Sequence, residues 1–171
     1  MLRLLLMRHA KTEVSSPGGD HERQLLARGR TDAQNIARDI LARRAVPDLI
    51  LISTAKRTQE TAQIVAGELP TCPEIVMDRR LYLADAGTIL QKIRDTDPQV
   101  KTLLVIAHNP GIAELANLLV VSGDSESRNL MARKYPTAAL AVISLPGDVW
   151  QGASFHEGKL EAFVTAKSLR T

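Results

Sequence analysis

The feature that most constrains the fold is the alternation of short, mostly apolar runs with longer amphipathic segments. Leu2–Met7, Asp48–Ile52 and Lys101–Ala107 are largely apolar and of strand length. Between them, apolar residues recur at helical spacing, as in Thr31–Arg44 and Ala55–Leu69. Strands that are apolar throughout are buried on both faces, which is typical of parallel sheets covered by helices. The pattern predicts an α/β fold, a three-layer sandwich with a mainly parallel sheet and helices on both faces.

Weaker patterns extend this order of elements. We predict further strands at Glu74–Met77, Ala138–Leu145 and Leu160–Thr165, and further helices at Gly87–Arg94 and from Pro110 to about Val121. Ser53 and Asn109 are residue types that favour helix N-caps, and each precedes a predicted helix. The polar segment Ser122–Tyr135 is expected to be a surface segment.

Length and composition limit the classes of protein to consider. A chain of 171 residues suits one domain over 1–171, with a core that is mostly aliphatic because only 3% of residues are aromatic. The single cysteine, Cys72, excludes an internal disulfide and favours a reducing, cytoplasmic compartment. No apolar run is long enough for a membrane helix. The net charge of +3 without a Lys/Arg run does not indicate nucleic-acid binding.

Polar residues follow three of the predicted strands. Arg8 and His9 follow the first, the segment Ser53–Arg57 follows the second, and His108 and Asn109 follow Lys101–Ala107. Ligands of open parallel sheets bind outside the carboxyl ends of the strands, where helix N-termini favour anions. The guanidinium fork of arginine can bind two phosphate oxygens at once. The sequence therefore predicts a phosphate site made by Arg8, His9, Arg57 and His108.

Each of these signals alone has an ordinary structural interpretation, as a surface residue or a helix start, and their joint placement is what favours a site. The other two histidines, His21 and His156, lie in polar segments and are interpreted as surface residues. No cluster has metal-ligand spacing and no glycine-rich nucleotide loop is present, so we expect no metal and no cofactor. Cys72 lacks a phosphate-cradling loop and is expected to be inert.

Several segments resemble the motifs of a known family. The matching segments are Leu6–Thr12, Ser53–Thr61, Ala107–Pro110, Asp20–Leu25 with Gly29, Tyr135–Ala139, Trp150 and Leu160–Thr165. Together they resemble the histidine phosphatase superfamily, which includes phosphoglycerate mutases, and the short length resembles its SixA-like phosphohistidine phosphatase branch. Ala10 stands where the family usually has glycine, and Gln24 where the branch often has proline.

The resemblance implies a phosphoglycerate mutase-like fold and a reaction through a phosphohistidine on His9. It implies that Arg8, Arg57 and His108 bind the phosphoryl oxygens, while Asn109 contacts substrate or caps a helix. Independently of the family, two neighbouring guanidinium charges disfavour protonation of His9, and a nucleophilic imidazole must be neutral. The expected partner is a phosphorylated protein carrying phosphohistidine, or a small phosphorylated substrate, with no nucleic acid and no membrane.

The general acid that mutase-like members use has no clear match in the sequence. Glu13, Glu22 and Asp85 are candidates, although Asp85 is also placed to begin a helix. An alkoxide leaving group needs an acid, whereas the imidazole of phosphohistidine leaves more easily. This favours a phosphohistidine phosphatase. A small-molecule phosphomonoesterase of the same superfamily and a non-catalytic module that binds phosphate or phosphoprotein stay open as alternatives.

Overall fold

Seven strands form one sheet in a computed structural model, which describes residues 1–170. They are β1 Leu2–Arg8, β2 Leu49–Ile52, β3 Glu74–Met77, β4 Thr102–Ala107, β5 Val120–Gly123, β6 Leu140–Leu145 and β7 Gly158–Val164. Their order across the sheet is β3-β2-β4-β1-β6-β7-β5, and β6 runs antiparallel to both of its neighbours while the other pairs are parallel. The mainly parallel sheet expected from the sequence is confirmed.

Helices cover both faces of this sheet. They are α1 Ala27–Ala42, α2 Lys56–Glu68, α3 Ala86–Arg94, α4 Gly111–Leu119, α5 Ser125–Arg133 and α6 Ala166–Leu169. Successive side chains of a strand point to opposite faces. Leu4 and Leu6 accordingly belong to the core under α3, α4 and α5, whereas Leu5 and Met7 belong to the core under α1, α2 and α6. The predicted three-layer sandwich is confirmed.

The centre of the sheet is rigidly packed. Leu4, Leu5, Leu6 and Met7 of β1 are fully buried. Burial of one such side chain contributes about 1.5–3 kcal/mol relative to its exposure. Because β1 lies between β4 and β6, the residue that follows it leaves the sheet from a fixed position.

Among residues 1–170, no helix combines the length and apolar character needed to cross a membrane.

Two predicted helix caps are wrong, and the surface segment is more ordered than expected. Helix α2 begins after Ala55 and α4 after Pro110, so neither Ser53 nor Asn109 is an N-cap. Both side chains instead make contacts that are distant in sequence, with His108 and Tyr135. The stretch from 122 to 135 holds the end of β5 and all of α5.

Candidate active site

The two histidines of the predicted site leave the sheet side by side. Arg8 and Ala107 are register partners on the parallel strands β1 and β4, so His9 and His108 follow neighbouring strand ends. Their ring centroids are 5.4 Å apart. His9 is 4% exposed and His108 is 2% exposed. The structure therefore brings both histidines into one buried cluster at the carboxyl edge of the sheet.

The ring of His9 is fixed in one tautomer. Its Nδ1 lies 2.9 Å from the carbonyl oxygen of Ala10, which can only accept, so Nδ1 carries the hydrogen and donates it. The amide of Ala10 in turn donates to the hydroxyl of Thr61 on α2, at 3.1 Å. This arrangement leaves the lone pair on Nε2 of His9 available as a nucleophile.

Burial keeps both imidazoles uncharged. Desolvation is the largest influence on the pKa of His9, which falls to about 3, and the charges of Arg57, Arg8 and Arg23 lower it further. The pKa of His108 also falls to about 3, mainly through burial. Both rings are therefore neutral at physiological pH, as a nucleophilic histidine requires.

His108 is oriented by its two ring nitrogens. The guanidinium of Arg57 donates to Nδ1 at 3.2 Å, since it has no acceptor, and the hydrogen of the neutral ring consequently lies on Nε2. Nε2 donates to the hydroxyl of Ser53, 2.6 Å away, and Ser53 is hydrogen-bonded to Thr58 at 3.0 Å. His108 thus holds Arg57, and its N–H is directed at Ser53 rather than at His9.

Arg57 lies in the first turn of α2 and is almost completely buried, with 2% of its surface exposed. Its guanidinium donates to the backbone oxygen of Asp20 at 2.8 Å and to the carboxylate of Asp20 at 3.1 Å. Asp20 belongs to a 3-10 turn that lies 37 residues earlier in the chain. The segment between β1 and α1 therefore folds back over the strand ends.

Three arginines converge on the histidine pair. Arg8 donates to the carbonyl oxygen of Tyr135 at 3.3 Å, and its pKa is lowered by burial and by the charges of Arg23 and Arg57. The Nε atoms of all three arginines are buried without a hydrogen bond, although that of Arg23 lies 3.3 Å from the carboxylate of Asp20. The carboxylate of Asp20 contacts Arg23 and Arg57, and no carboxylate within residues 1–170 pairs with Arg8. Three guanidinium charges against one carboxylate leave an excess of positive charge, which favours an anion.

Arg23 was not among the site residues predicted from the sequence. It lies in the segment Asp20–Leu25, which was noted only as a family match. Its position beside Arg8 and His9 depends on the fold of the loop, and the motif is the signal that could have identified it.

The rim of the cluster is formed by further residues that the sequence analysis did not place there. Tyr82 donates its hydroxyl to the carboxylate of Asp20, and its ring meets the ring of His108 edge-on at 5.5 Å between centroids. The ring of His21 lies 5.0 Å from that of Tyr82, and its Nε2 lies 2.9 Å from the hydroxyl of Thr54. His21 is 40% exposed and so lies at the surface as interpreted, and it contacts this rim.

Asn109 reaches the site through Tyr135. Its side-chain amide donates to the carbonyl oxygen of Tyr135 at 2.9 Å, the same oxygen that Arg8 contacts. Its own Oδ1 is buried without a hydrogen bond. Asn109 consequently fixes the loop that carries Tyr135 beside Arg8.

Of the carboxylates proposed as general acids, Glu13 and Asp85 accept backbone hydrogen bonds, and Glu22 lies beside His21 at the rim of the cluster. Asp85 accepts from the amide of Thr88 at 2.8 Å and caps α3, which lowers its pKa. Glu13 accepts from the amide of Gln24 at 3.0 Å, and Glu22 lies 3.5 Å from Nδ1 of His21.

The carboxylate nearest the cluster is that of Asp20. The hydrogen bond from Tyr82 is the largest of the influences that hold its pKa below the usual range. Asp20 is therefore ionised at neutral pH.

Among residues 1–170, no group of three or more His, Cys, Asp or Glu side chains could hold a metal ion.

Comparisons with known proteins bear on the family and the fold of this chain. An uncharacterized protein of Mycobacterium leprae is 32% identical over 92% of this chain and 98% of its own length. A proposed phosphohistidine phosphatase, SixA from Agrobacterium tumefaciens, is 27% identical, with a TM-score of 0.76 over 96% of this chain and 97% of that one. Its counterpart from Nakamurella multipartitia is 24% identical, with a TM-score of 0.84 over 96% and 95% of the two chains, and shows the same fold.

The family model matches the part of the chain that runs from β1 to the end of α3 and includes Arg57. Residues 4–93 match the model of the histidine phosphatase superfamily, branch 1. This range includes His9, Arg8, Arg23 and Arg57, and the solved structures extend the likeness over nearly the whole chain. The chain belongs to the histidine phosphatase superfamily.

Proposed function

We propose that this protein is a phosphohistidine phosphatase that forms a covalent phosphoryl intermediate on His9. The observation that carries the proposal is the state of that side chain. His9 is buried and neutral, its Nδ1–H is donated to Ala10, and its free Nε2 belongs to a cluster with three arginines. A nucleophile beside cationic donors is the arrangement that phosphoryl transfer requires.

In the first step, the lone pair of His9 Nε2 forms a bond to phosphorus. The P–N bond of the substrate breaks, and its electron pair stays with the departing imidazole, which takes a proton from water. The guanidinium groups of Arg8, Arg23 and Arg57 stabilise the charge on the equatorial phosphoryl oxygens. His108 and Asp20 hold Arg57 in position from two sides.

In the second step, water attacks phosphorus and the bond to His9 Nε2 breaks. Phosphate leaves, and the water proton not retained by phosphate returns to solvent. His9 is then again the neutral imidazole with its hydrogen on Nδ1. The guanidinium groups act in the same way on both steps, because each step passes through similar charge on the same oxygens.

The substrate class follows from the carboxylates around the site. Departure of an alkoxide is assisted by a general acid, which contributes typically 10²–10⁴-fold. Asp20 is ionised and bound to arginines, and Glu13 and Asp85 accept backbone hydrogen bonds, while Glu22 is half-exposed beside His21. The imidazole of phosphohistidine is a better leaving group than an alkoxide, so this site suits a P–N bond. The similarity to the Agrobacterium protein supports the same substrate class.

The test is a comparison of substrates on one preparation. We expect kcat/KM for a phosphohistidine peptide to exceed that for several alkyl phosphate esters, and we expect His9→Ala to turn over neither. If an ester is hydrolysed as fast as phosphohistidine, the protein is instead a small-molecule phosphomonoesterase. If the wild type binds phosphohistidine but hydrolyses nothing, it is a binding module.

A cytoplasmic location belongs to the same proposal. Cys72 is exposed and free of a disulfide, which suits a reducing compartment. Phosphorylated proteins of that compartment are then the partners to examine.

A further inference from the structure

A second surface feature lies beside the proposed site. It is a groove of about 500 Å³ at the carboxyl end of β7, between α5, α6 and the start of α1. Its basic lining residues are Lys11, Arg28, Arg133, Lys134, Lys167 and Arg170. We call this feature the basic groove.

The charge of the basic groove is one-sided. Among the described residues, six cationic side chains line it and no carboxylate does. Within residues 1–170, Arg170 pairs with Asp32 at 2.9 Å, while the other five form no ion pair. The whole chain has a net charge of only +3, so this concentration is local. A concave surface of one sign attracts ligands of the opposite sign.

The basic groove also has an apolar part. Leu130 is 49% exposed there, and Pro136 and Phe163 line the same surface. Phe163 is half-buried against the ring of Tyr135, with 5.2 Å between centroids. Exposed aliphatic surface within a ring of cations fits an acidic polypeptide that also carries apolar side chains. Proteins usually bind single-stranded nucleic acid by stacking its bases on exposed aromatic rings. The ring of Phe163 packs against Tyr135 instead, so the groove is less suited to nucleic acid than to a polypeptide.

The basic groove is continuous with the His9 cluster. Lys11 lies two residues after His9, and the amide of Ala138 donates to the carbonyl oxygen of His9 at 3.0 Å. Tyr135, which packs on Phe163, presents its carbonyl oxygen to Arg8. Strand β7 is parallel to β1, so its carboxyl end lies at the same edge of the sheet. A polypeptide with its phosphorylated side chain at His9 can extend directly into the groove.

We propose that the basic groove docks an acidic, partly apolar segment next to the phosphorylated residue of a substrate protein. The inference rests on the proposed function, since it takes the substrate to be a protein. It adds a recognition surface outside the His9 cluster. Because charge pairs in an exposed groove are screened by salt, the docking contributes most at low ionic strength.

The test measures binding, so it does not depend on turnover. Two fluorescein-labelled peptides carry the same non-hydrolysable phosphonate analogue of phosphohistidine, one flanked by Glu and Leu and the other by Gln and Leu. The Glu-containing peptide is expected to bind the wild type more tightly than the Gln-containing peptide. The double variant Arg133→Gln with Lys167→Gln should bind the Glu-containing peptide roughly two- to thirtyfold more weakly, as the loss of two exposed charge pairs allows. The Gln-containing peptide should bind the double variant and the wild type with equal affinity.

Lys101→Gln with Lys159→Gln is the matched control. Both lysines are exposed and lie at the opposite, amino edge of the sheet, so the same loss of charge there should leave the acidic peptide bound as before. Equal affinity of the two peptides for the wild type would overturn the proposal. The proposal would also be overturned if the wild type bound a single-stranded oligonucleotide more tightly than the acidic peptide and the groove variant lost that binding.

The two proposals can fail separately. If the protein hydrolyses phosphohistidine but binds both peptides equally, the docking groove is refuted and the proposed function is not. If it binds the acidic peptide more tightly but hydrolyses no phosphohistidine, the proposed function is refuted and the groove is not.

Discussion

At the scale of single residues, the site depends on how its protons are placed. Nδ1 of His9 and Nε2 of His108 each carry a hydrogen, and each donates it to a fixed oxygen, that of Ala10 or of Ser53. The two rings are therefore held in different tautomers, although their centroids are only 5.4 Å apart. One ring keeps a free nucleophilic nitrogen and the other fixes Arg57.

Arg23 gives the first test at this scale. We expect Arg23→Gln to lower kcat/KM for phosphohistidine by about 10²–10³, the usual cost of removing one donor to a developing oxyanion. The reason is that Arg23 lies close enough to lower the pKa of both Arg8 and His9. Steady-state kinetics of the purified variant measure this. Arg38→Gln, at an exposed ion pair with Glu68, is the control and should retain wild-type kinetics.

The sequence predicted Arg8, His9, Arg57 and His108 as site residues because each lies at the end of a strand or in the first turn of a helix. It did not reach Arg23 or Asp20, because their place in the cluster comes from a loop that folds back over residues far away in the chain. Strand and helix periodicity holds no information on that loop, and only the match of Asp20–Leu25 to the family motif pointed to it. Ser53 was noticed for the wrong reason, since its hydroxyl accepts from His108 rather than capping α2.

At the scale of elements, the strands and helices carry the clearest sequence signal. Glu74–Met77 was predicted with the bounds that the structure gives to β3, and β1 differs from its prediction by one residue. Strand β5 was missed because its first residues continue the apolar pattern of α4, and the two elements adjoin. The short α6 carries too few residues for a helical period to be visible.

The contact between α1 and the loop after His9 gives a test at this scale. A Cβ added at Gly29 of α1 would lie 2.2 Å from the backbone oxygen of Lys11. Gly29→Ala should therefore push the loop away from α1, destabilise the protein by about 1–3 kcal/mol, and lower activity by displacing His9. Chemical denaturation and kinetics measure the two effects.

Gly67 on α2 supplies the control for that experiment. A Cβ there meets nothing within 4 Å. Gly67→Ala should therefore be neutral or slightly stabilising, because alanine is the better helix former. Equal stability of the Gly29→Ala and Gly67→Ala proteins would show that the contact with Lys11 is not tight.

At the scale of the whole molecule, the buried histidines link stability to pH. The pKa values of His9 and His108 are about 3 in the folded protein, against about 6.5 in the unfolded chain. Below pH 6.5 the unfolded chain takes up protons that the folded protein does not, so stability falls as the pH falls. Between pH 7 and pH 5 the loss is on the order of 2 kcal/mol for each histidine.

Denaturation curves at the two pH values measure this loss. His9→Gln removes one titrating ring and should show about half of the wild-type difference. A wild-type protein with the same free energy of unfolding at pH 7 and pH 5 would mean that the rings accept protons in the folded state.

The positive charge that balances the phosphoryl group comes from several side chains together. Three guanidinium groups surround His9, and they can neutralise the phosphoryl oxygens without an ion. We therefore expect turnover of phosphohistidine to be unchanged by EDTA. Loss of activity that is restored by a divalent cation would show that the arginines are insufficient.

The central claim is that phosphate is carried on His9, and the most direct measurement is to locate it there. The enzyme is mixed with a phosphohistidine protein, quenched in alkali, digested and analysed by mass spectrometry. We predict phosphate on the peptide that contains His9, stable to alkali and lost in acid as a P–N bond is, and no such label in folded His9→Ala. Phosphate found on another residue, or normal turnover by His9→Ala, would contradict this account.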